Sequence, residues 1–278
     1  MDVAEPVLTV FAFIWGAMLG SFLNVCVWRL PRNESVVRPA SHCPGCGKPI
    51  AWYDNIPLLS YLALRGRCRH CGARISPQYP AVELAVALIW AGAVVWWGAS
   101  WNALSGALLT TLLLGIALTD ARHYLIPDEF SLGGLGAGLA LSFVPGGISP
   151  LGSVVGAAAG FALLWLVKAG GDWALARGLI HGEELKQVLE AGEKPTTLGG
   201  GDLKMMAMVG SFLGWQGVLL TAFLGSLAGV VVFLPLLLLR RKSPVPFGVF
   251  LAVGAVATLL VGNALMAWYQ GLLVSSVP

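Results

Sequence analysis

Two aspartates and four cysteines are the residues of this chain whose types and spacing can do chemistry. Asp120 ends an apolar run in Leu118-Thr119-Asp120-Ala121-Arg122, and Asp202 begins another in Gly199-Gly200-Gly201-Asp202-Leu203-Lys204. A carboxylate at the edge of a bilayer is costly to desolvate, so it is usually there for a reason. Two carboxyls held a few ångströms apart cannot both ionise easily and come to share a proton. The charged member can then take a proton from water while the protonated one polarises a peptide carbonyl, and the titration belongs to the pair. Gly199, Gly200 and Gly201 lack Cβ atoms and would let a substrate chain come close. The competing reading of each acid is structural: a carboxylate at a helix start is also a good cap. Asp128 fits that role, and spacing alone leaves the two readings of Asp202 open.

The cysteines read Cys43-Pro44-Gly45-Cys46 and Cys68-Arg69-His70-Cys71. Two C-x-x-C pairs in one loop can each bite a metal from a tight turn, giving a closed tetrahedral Zn²⁺ site. Such a site has no open position, so it is structural. The alternative is a set of free thiols in a reducing compartment. His42 and His70 are bystanders where four thiols are available, and Cys26 reads as a packed apolar residue.

These groups must be positioned by membrane helices. The 278 residues are 57% hydrophobic and 11% charged, with a mean hydropathy of +0.78. A soluble domain carries about 25% charge, so the composition specifies a polytopic membrane protein. Asp2 and Glu5 precede the first apolar run, which therefore reads as a retained helix and not a cleaved signal peptide. Eight apolar segments are expected, at 7–28, 81–100, 103–119, 129–145, 151–169, 203–214, 216–239 and 246–270. Threading all eight places every one of the 17 Lys and Arg residues on one side or at its border. By the positive-inside rule that side is cytoplasmic, and Asp120 and Asp202 both face it. The basic residues flank spans, which argues against nucleic-acid binding. The 11 tryptophans lie mostly near span ends, as in an aromatic belt. Residues 29–80 are expected to form a small cytoplasmic four-cysteine metal-binding subdomain, and 170–198 a second cytoplasmic loop. Within the latter, 181–190 has the spacing of an amphipathic helix and equally suits a solvated linker. His123 is read as interfacial. Asn24, polar within a span, can brace a neighbouring helix or touch substrate.

Taken together, the motifs resemble the bacterial prepilin peptidases, the type IV leader peptidase family of intramembrane aspartyl proteases. The resemblance runs through Gly20-Ser21-Phe22-Leu23-Asn24-Val25-Cys26 with Arg29-Leu30-Pro31, the two C-x-x-C pairs, Tyr79-Pro80-Ala81-Val82-Glu83-Leu84, Asp120 with Pro127-Asp128, the GxGD-like Gly199–Lys204 stretch, and Pro246-Phe247-Gly248-Val249-Phe250-Leu251-Ala252. It implies an enzyme of the bacterial inner membrane that cuts the leader from type IV prepilins or pseudopilins after glycine, at the cytoplasmic face. It implies that Asp120 and Asp202 are the catalytic pair, with Gly199, Gly200, Gly201 and Lys204 in the motif that meets the substrate. It also implies N-methylation of the new N-terminus from S-adenosylmethionine. That activity is tied to the N-terminal region, 1–100, where Asn24 and Glu83 are candidates, while 101–278 would hold the peptidase as six helices. A departure from the family is the long, charged stretch before the GGGD sequence. The rival function is a proton-coupled transporter using the two aspartates as a relay. Such sites lie near the bilayer midplane, whereas these lie at span ends.

Overall fold

The structure, a computed structural model, describes residues 4–179, 197–238 and 246–275. They form eight helices: α1 (Ala4–Arg29), α2 (Leu59–Ala63), α3 (Gln78–Trp97), α4 (Trp101–His123), α5 (Asp128–Leu141), α6 (Pro150–Ala176), α7 (Gly200–Leu238) and α8 (Phe247–Ser275). Six of these, α1, α3, α4, α6, α7 and α8, are long and apolar enough to cross a membrane. The all-α, polytopic membrane fold expected from composition is thus the fold observed.

Six differs from eight for two physical reasons. The segment expected at 129–145 folds as α5, with 14 residues, which at about 1.5 Å per residue is roughly 21 Å long. A hydrocarbon core is about 30 Å thick. The segments 203–214 and 216–239 run on as one helical stretch, α7, broken only at Gly214 (φ 70°, ψ 178°). The residues before that break also make a short helix, and those after it a long one. In addition, α6 continues to Ala176, past the expected end at 169. The helix considered at 181–190 lies outside the described residues.

The chain divides into two compact units. One runs to Pro127 and includes Pro145–Gly147; the other comprises Asp128–Val144 and the chain from Ile148 onward. In the first, α1 and α3 run antiparallel with backbones nearly touching. A Cβ added at Gly20 would lie 2.7 Å from Cα of Glu83, and one at Gly16 would lie 2.8 Å from the Val86 carbonyl oxygen. Small residues that let helices approach this closely are the usual device for packing in lipid. Helix α4 starts at a Ser100 cap, whose Oγ accepts from the Ala103 N–H at 3.2 Å. It is joined to α3 by Trp90 Nε1 donating to Thr111 Oγ1 at 3.1 Å. At the other end of α4, Arg122 donates to Gln78 Oε1 in the first turn of α3.

In the second unit, α6 and the first part of α7 run antiparallel at backbone contact. A Cβ on Gly160 would meet the Met206 carbonyl oxygen at 2.1 Å, and one on Gly156 the Gly210 carbonyl oxygen at 2.1 Å. Ser153 Oγ donates to the Ser211 carbonyl at 2.7 Å. Helix α5 runs parallel to this part of α7, with Asp128 beside Lys204 and Gly138 against Ser211 and Phe212. Beyond Gly214, α7 packs antiparallel to α8 through Gly225 and Gly254, with Thr221 Oγ1 donating to Thr258 Oγ1 at 3.2 Å. The described charged residues of this unit, Asp128, Glu129, Lys168, Asp172, Arg177, Asp202 and Lys204, all lie near the end where α5 and α7 begin and α6 finishes.

Candidate functional site: a thiol cage and two helix-end aspartates

The four sulfurs expected to hold a metal come together. Sγ atoms of Cys43, Cys46, Cys68 and Cys71 all lie within 4.8 Å of one another, and those of Cys43 and Cys71 are 3.8 Å apart. Four thiolates placed tetrahedrally at about 2.3 Å from a metal have S–S edges of roughly 3.8 Å. The cage therefore has the donor set and the dimensions for an ion such as zinc.

The two halves of the cage are built alike. The Cys43 carbonyl accepts from the Gly47 N–H at 2.8 Å, and the Cys68 carbonyl from the Gly72 N–H at 2.9 Å. Cys43 N–H donates to the Lys48 carbonyl and Cys68 N–H to the Ala73 carbonyl, each at 2.9 Å. Gly47 and Gly72 take φ of 69° and 71°, a left-handed turn that costs glycine nothing. The backbone N–H groups of Cys71 and His70 point at Cys68 and pull its thiol down to about 7. At Cys71 the Ala73 N–H is outweighed by burial and the hydrogen bonds of the neighbouring thiols, which push the thiol up to about 11, so Cys68 gives up its proton first. Neither His42 nor His70 joins the cage among the described residues.

The cage is fastened to the membrane helices by a relay of polar contacts. Arg69, inside the second knuckle, donates from Nε and Nη2 to the two oxygens of Asp54 at 2.8 and 2.6 Å. That guanidinium holds the Asp54 carboxyl below the ordinary carboxylate range. Asp54 ends a 3-10 turn, Trp52–Asp54, and Ser60 Oγ donates to the Tyr53 carbonyl of the same turn at 2.9 Å. Just before α2, Leu58 adopts φ 62° and its N–H donates to Glu83 Oε2 in α3 at 2.8 Å. A β-carbon at positive φ is unfavourable, so Glu83 holds a strained corner in place. One turn earlier on α3, the Tyr79 carbonyl accepts from Asn24 Nδ2 at 3.1 Å, and the Gly20 carbonyl accepts from the same amide at 3.2 Å. Asn24 and Glu83 are thus both engaged in holding α1, α3 and the cysteine-rich loop together. Cys26 is buried in α1, as expected.

Asp120 lies in the last turn of α4, 6% exposed, next to the fully buried Thr119. The turn closes with the Tyr124 N–H donating to the Asp120 carbonyl at 3.0 Å. His123 is the last residue of this helix and is exposed. Asp202 lies in the first turn of α7, half-buried. A Cβ at Gly199 would lie 3.1 Å from Asp202 Oδ2, so the carboxylate folds back over the bare glycine. Asp120 belongs to the first compact unit and Asp202 to the second. Lys204, two residues after Asp202 and on the other side of the helix, pairs with Asp128 at 2.7 and 2.8 Å, tying the starts of α5 and α7 together.

Sequence reasoning missed the residues just ahead of the glycines. Asp172 Oδ1 accepts from the N–H and the Oγ1 of Thr197, both at 2.9 Å, and Lys168 Nζ donates to the Leu198 carbonyl at 3.1 Å. The only hint in the sequence is a Lys and an Asp four residues apart on a helix otherwise apolar, a spacing that pairs them on one face.

A polytopic helical protein with a four-thiol cage outside its spans and carboxylates at helix ends is, as a class, a multi-pass membrane protein with a site able to hold a metal ion. Two family models match the sequence: the bacterial peptidase A24 N-terminal domain over residues 14–97 and the type IV leader peptidase family over residues 107–234. The prepilin leader peptidase/N-methyltransferase of Aeromonas hydrophila is 36% identical over 284 residues, covering 92% of each chain. Enzymes of the same name from Pseudomonas aeruginosa (37% identity; 91% of this chain, 90% of the relative) and Burkholderia pseudomallei (34%; 91% and 85%) are also similar. No solved structure matches. The chain belongs to the type IV leader peptidase family and is a multi-pass membrane peptidase. The transporter reading has no support among these matches.

Proposed function

We propose that this protein removes the leader peptide from type IV prepilins or pseudopilins, with Asp120 and Asp202 as the catalytic pair. The observation that carries the assignment of residues is their placement. Each is a carboxylate in the terminal turn of a membrane helix, at the end of its unit where the charged side chains gather. A prepilin presents an apolar helix in the bilayer and a polar leader in the cytoplasm, so its scissile bond lies at the same interface. With the basic side of the protein cytoplasmic, Asp120 and Asp202 meet that bond there. One aspartate, ionised, takes a proton from water, which attacks the carbonyl carbon. The other, protonated, donates to the carbonyl oxygen and stabilises the tetrahedral intermediate. Proton return to the departing amine completes cleavage. Gly199, Gly200 and Gly201 leave room for the substrate backbone, and Lys204 keeps α7 in register with α5.

The four-cysteine cage is assigned to Zn²⁺, which would hold the two knuckles together. As a second activity we propose methylation of the new N-terminus with S-adenosylmethionine as donor. It rests on the names of the relatives, which join both activities, and belongs with the N-terminal region 1–100, the peptidase with 101–278. Asn24 and Glu83 serve that region by holding its loop and helices in place.

The test is to incubate the purified protein with a prepilin, with and without S-adenosylmethionine, and to weigh the product. Loss of the leader mass reports peptidase, and an added methyl group reports the transferase. Asp120→Asn and Asp202→Asn should each abolish leader loss in folded protein. Full processing by both variants would overturn the assignment.

A further inference from the structure

The last turns of α6 grip the chain immediately before Asp202, and this grip is unexplained by the fold alone. Four contacts converge on Thr197 and Leu198, and a fifth joins Lys168 to Asp172. Asp172 Oδ1 takes two hydrogen bonds from Thr197, through N–H and Oγ1, at 2.9 Å each. Thr197 Oγ1 also lies 3.3 Å from the Lys168 carbonyl oxygen. Lys168 Nζ donates to the Leu198 carbonyl at 3.1 Å and pairs with Asp172 Oδ2 at 3.1 Å. Gly171 lies between them: a Cβ there would sit 2.6 Å from Thr197 Oγ1, so only glycine allows the approach.

Directly after the gripped pair comes Gly199, and then Gly200 and Gly201, the first two residues of α7. Asp202 folds back to within 3.1 Å of the Cβ position of Gly199. A helix whose first two residues are glycine has a weakly held first turn. The position of Asp202 in that turn therefore depends on what holds its two sides. One side is α7, tied by Lys204 to Asp128; the other is Thr197-Leu198, tied to α6.

We propose that Lys168, Asp172 and Thr197 form a positioning latch for Asp202, with Gly171 as its seat. The proposal rests on Asp202 being catalytic. The residues act through Asp202 and do not touch the substrate. Displacing a reacting group by about an ångström can cost about a hundredfold in rate, so the latch should be visible in turnover while substrate binding stays intact.

The experiment uses the full-length protein in detergent or nanodiscs and a prepilin, reading kcat, KM, the kcat–pH profile and the melting temperature. Asp172→Asn, Thr197→Val and Lys168→Met should lower kcat by about ten- to a hundredfold with KM within about twofold. Lys168→Arg and Thr197→Ser should restore most of it. A catalytic pair of carboxylates sharing a proton drive each other's titration apart, so on the proposed function moving Asp202 away should narrow the bell-shaped kcat–pH profile. A purely structural contact would not do this. Gly171→Ala is the decisive variant, since alanine favours the helix but collides with Thr197. It should lower kcat without lowering the melting temperature. Latch variants with wild-type kcat and profile, beside an inactive Asp202→Asn, would overturn the latch alone. Losses that merely follow loss of folded protein, with Gly171→Ala fully active, would also overturn it. An active Asp202→Asn would overturn the catalytic assignment and the latch with it.

Discussion

The two compact units solve the same problem, holding helices and loops in a fixed arrangement, with different materials. In the first, a loop of about fifty residues lies between α1 and α3 and buries little of its apolar surface. It gathers four thiols that could share a metal ion and is held by a chain of polar contacts, from the knuckle through Arg69 and Asp54 to Ser60, then from Leu58 to Glu83. In the second, α6, α7 and α8 meet through bare backbone at Gly156, Gly160, Gly210, Gly225 and Gly254. The difference follows the solvent. Outside the bilayer water competes for every hydrogen bond, so a small loop needs metal-strength ligands. Inside it, apolar side chains gain nothing by leaving lipid, and close van der Waals contact between small residues is what remains. The cysteine-rich loop of the first unit should therefore be sensitive to chelators and single polar changes, and the helices of the second, like the α1–α3 seam at Gly16 and Gly20, to added bulk.

The comparison can be broken most forcefully at the cage. Cys68→Ser, or a strong chelator, should reduce bound zinc from one equivalent to near zero and expose the chain around 40–75 to protease. The α6–α7 packing should be unaffected. Equal protease sensitivity of both units would show that they are not independently fastened. Next in size is Gly160→Val, whose side chain would run into the Met206 carbonyl. It should destabilise the second unit by about 3 kcal/mol in a denaturant titration while zinc content stays at one equivalent. Glu83→Ala removes the acceptor for the strained Leu58 N–H. It should cost about 1–3 kcal/mol and speed amide exchange at residues 56–60 before any other change. The smallest effect is that of the Arg69–Asp54 pair. Its carboxyl titrates lower in the folded protein than in the unfolded chain. The stabilisation is therefore complete above the ordinary carboxylate value of about 3.9 and is lost as the pH falls further. Asp54→Asn should remove only that acid-limb dependence of loop stability, and high salt should mimic it, since exposed pairs are readily screened.

How much of this the sequence discloses depends on distance along the chain. The cysteine knuckles are legible because a C-x-x-C turn is a local object, complete with its glycine. The helices are legible from their apolar runs, and Asp120 and Asp202 stand at helix ends as their runs imply. The number of long spans is not, because α5 and the start of α7 are too short for a length rule to resolve. Nor are the contacts that hold the loops. Glu83 meets Leu58 across 25 residues, Thr197 meets Asp172 across 25 and Lys204 meets Asp128 across 76. No local period encodes such pairs. Glu83 could be singled out as an acid in an apolar helix, but its partner is a backbone N–H that any residue could have supplied.

The short helices have a consequence of their own. Helix α5 and the part of α7 before Gly214 lie side by side and start at the same end. Each is about 9 Å shorter than a typical hydrocarbon core. A hydrolase working at a membrane must be supplied with water as well as with its peptide. Asp202, half-buried in the first turn of such a short helix, is not sealed beneath a full thickness of protein, and water has a short way to the carboxylate.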